Sequence, residues 1–179
     1  MTNKYWNPNK SKWKAAEKVG LDVKLQGNEN VLYLGASSGT TIEHLCKKTS
    51  GLIFAVEISP HMAIKLVKLS IQKENIVPIF SDARDTDYIK EKLENTSINI
   101  LFQDIPSMDQ IGILEKNSKL VNKNCRIFLS LKTQSISQKS PEETLKIVKK
   151  QLEKNFKIID MKSIEPYHQK HYFFILEKK

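Results

Sequence analysis

Short runs rich in Val, Ile, Leu and Phe alternate along the chain with longer segments that carry apolar residues at helical spacing. The runs fall at 30–34, 52–56, 76–80, 98–102 and 126–131, with a final pair at 156–164 and 172–176. The helical segments cover 41–48, 60–74, 87–94, 108–121 and 141–154. Strands that alternate with helices predict a parallel sheet whose connections cross over it as helices. The last helix is marked at its start: Ser140 stands at the N-cap, Pro141 at the first helical position and Glu143 where a capping box places its acid. Between the final two runs lies only turn-like sequence, Glu165-Pro166-Tyr167-His168-Gln169-Lys170. With no helix to carry the chain across, those strands are expected to pair antiparallel. The pattern predicts an α/β fold of Rossmann-like type, with seven strands and a C-terminal antiparallel hairpin.

Length and composition narrow this a little. A chain of 179 residues suits one core, so 1–179 is expected to form a single domain, with segment 1–20 packing on it. Hydrophobic residues make up 40% and charged residues 27%, which argues against wholesale disorder. Charge changes the picture more: 29 Lys and Arg against 20 Asp and Glu leave a formal net charge of +9. Such an excess attracts polyanions, and nucleic acid is the leading partner, although Lys-rich surfaces also serve solubility alone. Cys46 and Cys125 lack the spacing of a metal site or disulfide framework, so they read as reduced core thiols of a cytoplasmic protein. No stretch approaches the roughly 18 apolar residues of a membrane span, and the polar N-terminus does not read as a signal peptide. No membrane association is expected. His44, His61, His168 and His171 form no ligand cluster, so no metal is expected either.

Candidate chemistry gathers where the strands end. After the first strand, Gly35-Ala36-Ser37-Ser38-Gly39-Thr40-Thr41 supplies small residues that let the backbone approach a ligand before a helix begins. A tight strand-to-helix turn needs the same residues without any ligand. Glu57, at the tip of the second strand and 22 positions after Gly35, is placed to accept hydrogen bonds from ribose hydroxyls. Asp82, in Ser81-Asp82-Ala83 after the third strand, can accept from an exocyclic adenine amine or simply cap a surface turn. Together these tips put a ligand along the carboxyl edge of the sheet, where open α/β folds bind ligands. The loop reads Gly-x-x-x-Gly instead of Gly-x-Gly-x-x-Gly and lacks Gly-Lys-Ser/Thr, which disfavours a dinucleotide or ATP. S-adenosylmethionine, an adenosine compound without phosphate, fits better. The fourth strand ends in Phe102-Gln103-Asp104-Ile105-Pro106 and the fifth in Leu129-Ser130-Leu131-Lys132. An Asp beside a Lys over a methyl donor can position a hydroxyl and help remove its proton, or can be a salt bridge at the sheet edge.

With these residues placed, the chain from about Trp6 to its C-terminus resembles the fibrillarin family of RNA ribose 2′-O-methyltransferases, including its archaeal rRNA/tRNA forms. Trp6-Asn7-Pro8-Asn9-Lys10-Ser11-Lys12-Trp13-Lys14-Ala15-Ala16 is similar to the family's Trp-Asn/Asp-Pro…Ser-Lys-x-x-Ala-Ala segment. Val31 to Thr41 resembles its cofactor loop nearly residue for residue, and Ala55-Val56-Glu57, Asp82-Ala83-Arg84 and Glu165-Pro166-Tyr167 followed by His171 match further. The resemblance implies the seven-stranded methyltransferase sheet. It implies S-adenosylmethionine contacts at Thr40, Thr41, Glu57, Ile58, Asp82, Ala83, Asp104, Ile105, Pro106 and Ser107, beside the loop residues Gly35, Ala36 and Ser37 and, further on, Gln110. It also implies a catalytic set of Lys12, Asp104 and Lys132, with His171 or Glu165 fourth. Lys132 is the first candidate to activate the hydroxyl, but an ammonium of ordinary pKa, about 10.4, is a poor base, so it needs a depressed pKa or acts by orientation.

Departures temper the carry-over. The family commonly carries a small β-rich domain before the Trp-Asn-Pro segment; only five residues precede Trp6, so that domain is expected to be reduced or absent. Asp104-Ile105-Pro106-Ser107-Met108-Asp109-Gln110 replaces the usual Asp-Val-Ala-Gln-Pro-Asp-Gln, which puts Ser107 where a Gln is expected. The resemblance implies a ribonucleoprotein in which a box C/D guide RNA, a Nop-type scaffold protein and a kink-turn-binding protein present the rRNA or tRNA substrate. That agrees with the lack of an RNA-reading module in the sequence. Lys10, Lys12, Lys14, Lys132, Lys139 and Lys170 are candidates for the RNA face. Two alternatives remain: a non-catalytic RNA- or protein-binding scaffold of the same fold, and methylation of protein side chains.

Overall fold

A computed structural model describes residues 5–179; residues 1–4 of the predicted N-terminal segment lie outside the described residues. The strands are β1 (Val31–Leu34), β2 (Ile53–Glu57), β3 (Ile76–Phe80), β4 (Ile100–Gln103), β5 (Arg126–Lys132), β6 (Phe156–Ser163) and β7 (His171–Lys178). They form one seven-stranded sheet in the order β3-β2-β1-β4-β5-β7-β6. The first five pair in parallel, and β7 runs antiparallel between β5 and β6, as the hairpin pattern predicts. The chain starts in the middle at β1, lays β2 and β3 to one side, then β4 and β5 to the other. The winding therefore reverses between β1 and β4, and a crevice opens at their carboxyl ends.

The helices are α1 (Lys12–Lys18), α2 (Ile42–Leu45), α3 (Pro60–Ser70), α4 (Thr86–Leu93), α5 (Gln110–Ser118), α6 (Thr133–Ile136) and α7 (Pro141–Asn155). Successive strand residues point to opposite faces, and the core divides accordingly. Val31, Tyr33, Phe102, Phe128 and Phe173 pack with Trp13 of α1, Ile42 of α2 and Leu66 of α3. Leu32, Leu34, Leu101, Ile127 and Leu129 pack with Ile89 of α4, Leu114 of α5 and Leu152 of α7. Two helical layers thus sandwich the sheet.

The N-terminal segment is part of this core. Trp13 meets Phe102 and Phe128 edge-on, with ring centroids 5.1 Å from each, and its Nε1–H donates to the Val23 carbonyl at 3.1 Å. Truncating so buried a Trp costs roughly 3–5 kcal/mol. Upstream, Asn7 Oδ1 caps a short 3₁₀ turn, Pro8–Lys10, by accepting from Asn9 N–H, and Ser11 Oγ caps α1 by accepting from Lys14 N–H. These two caps aim Lys12, the first residue of α1, at the strand tips.

Several boundaries differ from the pattern. α1 and α6, of seven and four residues, are too short to show a helical period in sequence. The segment 41–48 keeps only α2 as helix, and α3 stops at Ser70 instead of reaching 74. Asn75 explains the early stop: its Nδ2 donates to the carbonyls of Cys46, Thr49 and Gly51, which draws the chain out of the helix and into β3. α5 begins at Gln110, two residues later than expected, because Gln110 Nε2 holds the Ser107 carbonyl in the loop before it. The capping box of α7 is complete: Ser140 Oγ accepts from Glu143 N–H at 3.2 Å, and Glu143 Oε2 accepts from Ser140 N–H at 3.3 Å.

Cys46 and Cys125 are free and buried, and burial pushes the Cys125 thiol up to about 12. Among the described residues, no helix is long and apolar enough to cross a membrane. Nor do three or more His, Cys, Asp or Glu side chains gather as a metal site would.

Candidate active site

The cleft at the β1–β4 crevice depends on one glycine. Gly35 follows β1 with φ +81°, and a Cβ there would stand 2.5 Å from the Asp104 carbonyl oxygen. The tips of β1 and β4 approach too closely for any side chain. Gly35 N–H and Ala36 N–H both donate to the Val56 carbonyl, which bends the loop toward β2. Ser37, at φ 51°, then turns its N–H onto Glu57 Oε2 at 2.6 Å, while Ser59 N–H donates to Oε1 at 2.8 Å. The carboxylate is buried and aimed by two backbone donors, yet an ionised carboxylate has about four acceptor sites, so capacity remains on the cleft side. Asp82 is fixed likewise: its Oδ1 accepts from Arg84 N–H at 2.9 Å and lies 3.3 Å from Arg84 Nε.

These residues enclose about 220 Å³. Gly35, Ser37, Glu57, Ile58, Asp82 and Ala83 line the cleft from one side, and Asp104, Ile105 and Pro106 line it from the other. Val56, Ser81, Arg84 and Ile113 complete it, none of them singled out by the sequence pattern as contacts. The remaining expected contacts do not line this cavity. Ala36 is buried in the core beside β1, and Thr40 is exposed near Ser38. Thr41 is buried with its hydroxyl donating to Ser11 Oγ at 2.9 Å. Ser107 sits in the loop gripped by Gln110, and Gln110 is wholly buried under that loop.

A second set of polar groups meets at the tips of β4, β5 and β7. Strand alternation decides their side: Asp104 follows Phe102 by two, Lys132 follows Phe128 by four, and His171 precedes Phe173 by two. Since the three Phe face the α1 layer, the three polar residues face it as well. Lys132 and His171 are direct cross-strand partners in the β5–β7 register. From α1, Lys12 Nζ reaches Asp104 Oδ2 at 3.0 Å in a partly buried ion pair. Burial lowers the His171 pKa, a tendency opposed by the Gln169 carbonyl and Asp104 and assisted by Lys12 and His168. A carbonyl can only accept, so the 2.8 Å contact to Gln169 puts the proton of neutral His171 on Nδ1 and leaves Nε2 as an acceptor. Glu165 is exposed and accepts from Lys170 N–H at 3.0 Å, which braces the β6–β7 turn.

Five further residues stand behind this set, of which only Gln110 was expected as a contact, through the resemblance. Tyr33 is buried in β1 and interacts with Thr41; burial first, then the Asp104 charge, raises its pKa so that the phenol keeps its proton. Ser11 joins Thr41 to the start of α1. His168 Nε2–H donates to the Pro8 carbonyl at 2.8 Å and pins the turn to the N-terminal segment. Gln103 at the end of β4 and Gln110 at the start of α5 are both buried, and Gln103 Nε2 donates to the Gln110 carbonyl. Tyr33 and Gln103 are marked only by polarity within apolar strands, and Ser11 and Gln110 only by the resemblance.

A doubly wound sheet with a glycine turn after β1 and acids at the tips of β2, β3 and β4 defines a Rossmann-like methyltransferase. Within that class the chain belongs to the fibrillarin family, whose model, described as Fibrillarin, matches residues 2–179. It is 38% identical over 171 residues to a fibrillarin-like rRNA/tRNA 2′-O-methyltransferase of Archaeoglobus fulgidus, covering 94% of this chain and 80% of the relative. The crystal structure of a fibrillarin/Nop5p complex superposes with a TM-score of 0.91 at 35% identity, covering 97% of this chain and 84% of that one. Aeropyrum pernix fibrillarin, solved with natively bound S-adenosyl-L-methionine, gives 0.80 at 28% identity, covering 96% and 76%.

Proposed function

We propose that this protein transfers the methyl group of S-adenosylmethionine to ribose 2′-hydroxyls of rRNA and tRNA inside a guide-directed ribonucleoprotein. The Lys12–Asp104 pair carries this reading: Asp104 lines the cleft and at the same time holds a cation from α1 on the acceptor side. The cofactor suits the residues around it. Glu57 keeps acceptor sites for ribose hydroxyls, Asp82 faces the cleft as an acceptor for an adenine amine, and Gly35 admits close backbone approach. Bound S-adenosylmethionine supplies a methyl group made electrophilic by its sulfonium.

The protein's own groups then hold the acceptor and receive its proton. Lys12 keeps the Asp104 carboxylate in place, so that it can accept a hydrogen bond from the incoming hydroxyl. Lys132 donates to the same oxygen and orients it. The hydroxyl proton has to leave, and the Asp104 carboxylate and the bare Nε2 of neutral His171 are acceptors that can take it. His171 is therefore the fourth member of the set, and Glu165 braces the turn that carries it.

The fibrillarin/Nop5p complex supports a Nop-type scaffold as partner. A box C/D guide RNA and a kink-turn-binding protein would present the substrate, and the net charge of +9 suits contact with RNA. Two buried, free thiols agree with a cytoplasmic setting. Calorimetry with S-adenosylmethionine, followed by labelled methyl transfer to guide-paired RNA in the presence of the partner proteins, tests the whole. Wild-type protein should bind and transfer, and Asp104→Asn should transfer roughly 100-fold or more slowly. No cofactor binding would leave a non-catalytic scaffold as the reading, and full activity in Asp104→Asn would remove the assigned role.

A further inference from the structure

β5 outruns its neighbour. β4 ends at Gln103, opposite Leu129, whereas β5 continues to Lys132 with sheet pairing on the β7 side only. On the open side a side chain takes the place of the missing strand. Gln110 Oε1 accepts from Lys132 N–H at 3.2 Å, and Gln110 Nε2 donates to the Lys132 carbonyl at 3.2 Å and to the Ser107 carbonyl at 2.8 Å. Gln110 itself is wholly buried. Its main chain is gripped in turn: Gln103 Nε2 donates to the Gln110 carbonyl at 2.7 Å. The residue just before Asp104 therefore holds the residue that holds Lys132.

We propose that Gln110 is a positioning residue, whose side-chain amide occupies the open edge of β5 three residues past the last β4 pair and fixes Lys132 relative to Asp104. The inference rests on the reading of Asp104 and Lys132 as the pair that binds the acceptor hydroxyl. It replaces a cofactor contact at Gln110, which lies outside the cleft lining. Only a primary amide offers an acceptor and two donors in one plane. Glutamate of the same shape can accept from Lys132 N–H but, when ionised, donates to neither carbonyl. Methionine fills the volume and offers no partner at all.

Hydrogen exchange at the Lys132 amide tests the clasp independently of catalysis. Protection at that amide should be lost in Gln110→Met, and full retention would overturn the proposal. Catalysis is tested by a cycle of wild type, Gln110→Met, Lys132→Met and the double variant, with calorimetry of S-adenosylmethionine and transfer to guide-paired RNA at saturation. Gln110→Met should transfer about 10- to 100-fold more slowly, since small misplacements of a reacting group cost that much. Its cofactor affinity should stay within about threefold, and in the Lys132→Met background the same change should cost little, because its route of action is already gone. Equal losses in both backgrounds would mean generic loosening, and a parallel loss of cofactor affinity would return Gln110 to the cofactor site; either overturns the proposal. Should Gln110→Met not fold, Gln110→Glu serves: its rate relative to wild type should recover as pH falls and the acid regains a donor, and a pH-independent ratio would count against it. Wild-type protein that transfers nothing to RNA would overturn the functional reading, while the exchange result would still judge the clasp.

Discussion

The strand tips on the two sides of the β1–β4 crevice are built differently. On the cofactor side, the contacts that aim the acids are short in sequence: Ser59 to Glu57 and Arg84 to Asp82 span two residues, and Ser37 to Glu57 spans 20. On the acceptor side, Lys12 and Asp104 are 92 residues apart, and His168 and Pro8 are 160 apart. Closing a contact over 160 residues instead of 20 adds only about 2 kcal/mol of chain entropy, so distance alone does not weaken the acceptor side. What differs is dependence. The cofactor side is held by its own loops, whereas the acceptor side exists only once α1 has docked through Trp13 and the β6–β7 turn has closed on Pro8.

Substituting one residue on each side should separate the two functions. Lys12→Met, which leaves the cofactor loops untouched, should slow transfer by roughly 100- to 1000-fold. Calorimetry should find its S-adenosylmethionine affinity changed by less than about threefold. Glu57→Gln should do the reverse. Charge-assisted hydrogen bonds contribute about 1.5–3 kcal/mol, so cofactor affinity should weaken about 10- to 100-fold. Transfer at saturating cofactor should stay near that of wild type. If both variants lose affinity and rate in the same proportion, the division between the two sides is wrong.

One polar contact bridges them. Thr41, in the cofactor loop, donates to Ser11, which caps α1 and so aims Lys12. Thr41→Val deletes that buried hydrogen bond at nearly constant shape, for about 1 kcal/mol, or a fall of roughly 2–4 °C in Tm for a chain of this size. Combined with Ser11→Ala, the losses should be less than additive. Additive losses would mean that the two hydroxyls act separately.

The same contrast explains what was legible in the sequence. Glu57 and Asp82 follow strands directly, and Gly35 opens a turn, so local pattern alone placed them beside one another on the cleft. The sheet was legible for a similar reason: each strand is a short apolar run bounded by turn residues, and all seven are present with every end within two residues of the expected one. The Lys12–Asp104 pairing had no periodic signal, since nothing local spans 92 residues, and it came only from resemblance. Tyr33 reads as one more apolar residue in Val31-Leu32-Tyr33-Leu34, and Gln110 lies inside the expected 108–121 helix with a cofactor contact implied by the resemblance alone. Their hydrogen-bonding roles emerge only when another strand or helix is packed against them.

The smallest effect concerns the turn that closes the acceptor side. Burial holds the His168 pKa below the ordinary value of about 6.5, against the Pro8 carbonyl and Asp104, which favour the charged ring, and with Lys12, which disfavours it. His171 is lowered for the same first reason. A histidine depressed in the folded state contributes stability that is complete above its unfolded pKa and is lost as pH falls through the folded one. Tm should therefore hold near pH 7 and decline below about pH 6.5. His168→Gln keeps a donor for the Pro8 carbonyl at every pH and should flatten part of that decline, leaving the share owed to His171. Because Glu57 and its loops contain neither histidine, cofactor affinity should change less over this window than Tm. A fall in affinity that tracks Tm step for step would show that the two sides open together.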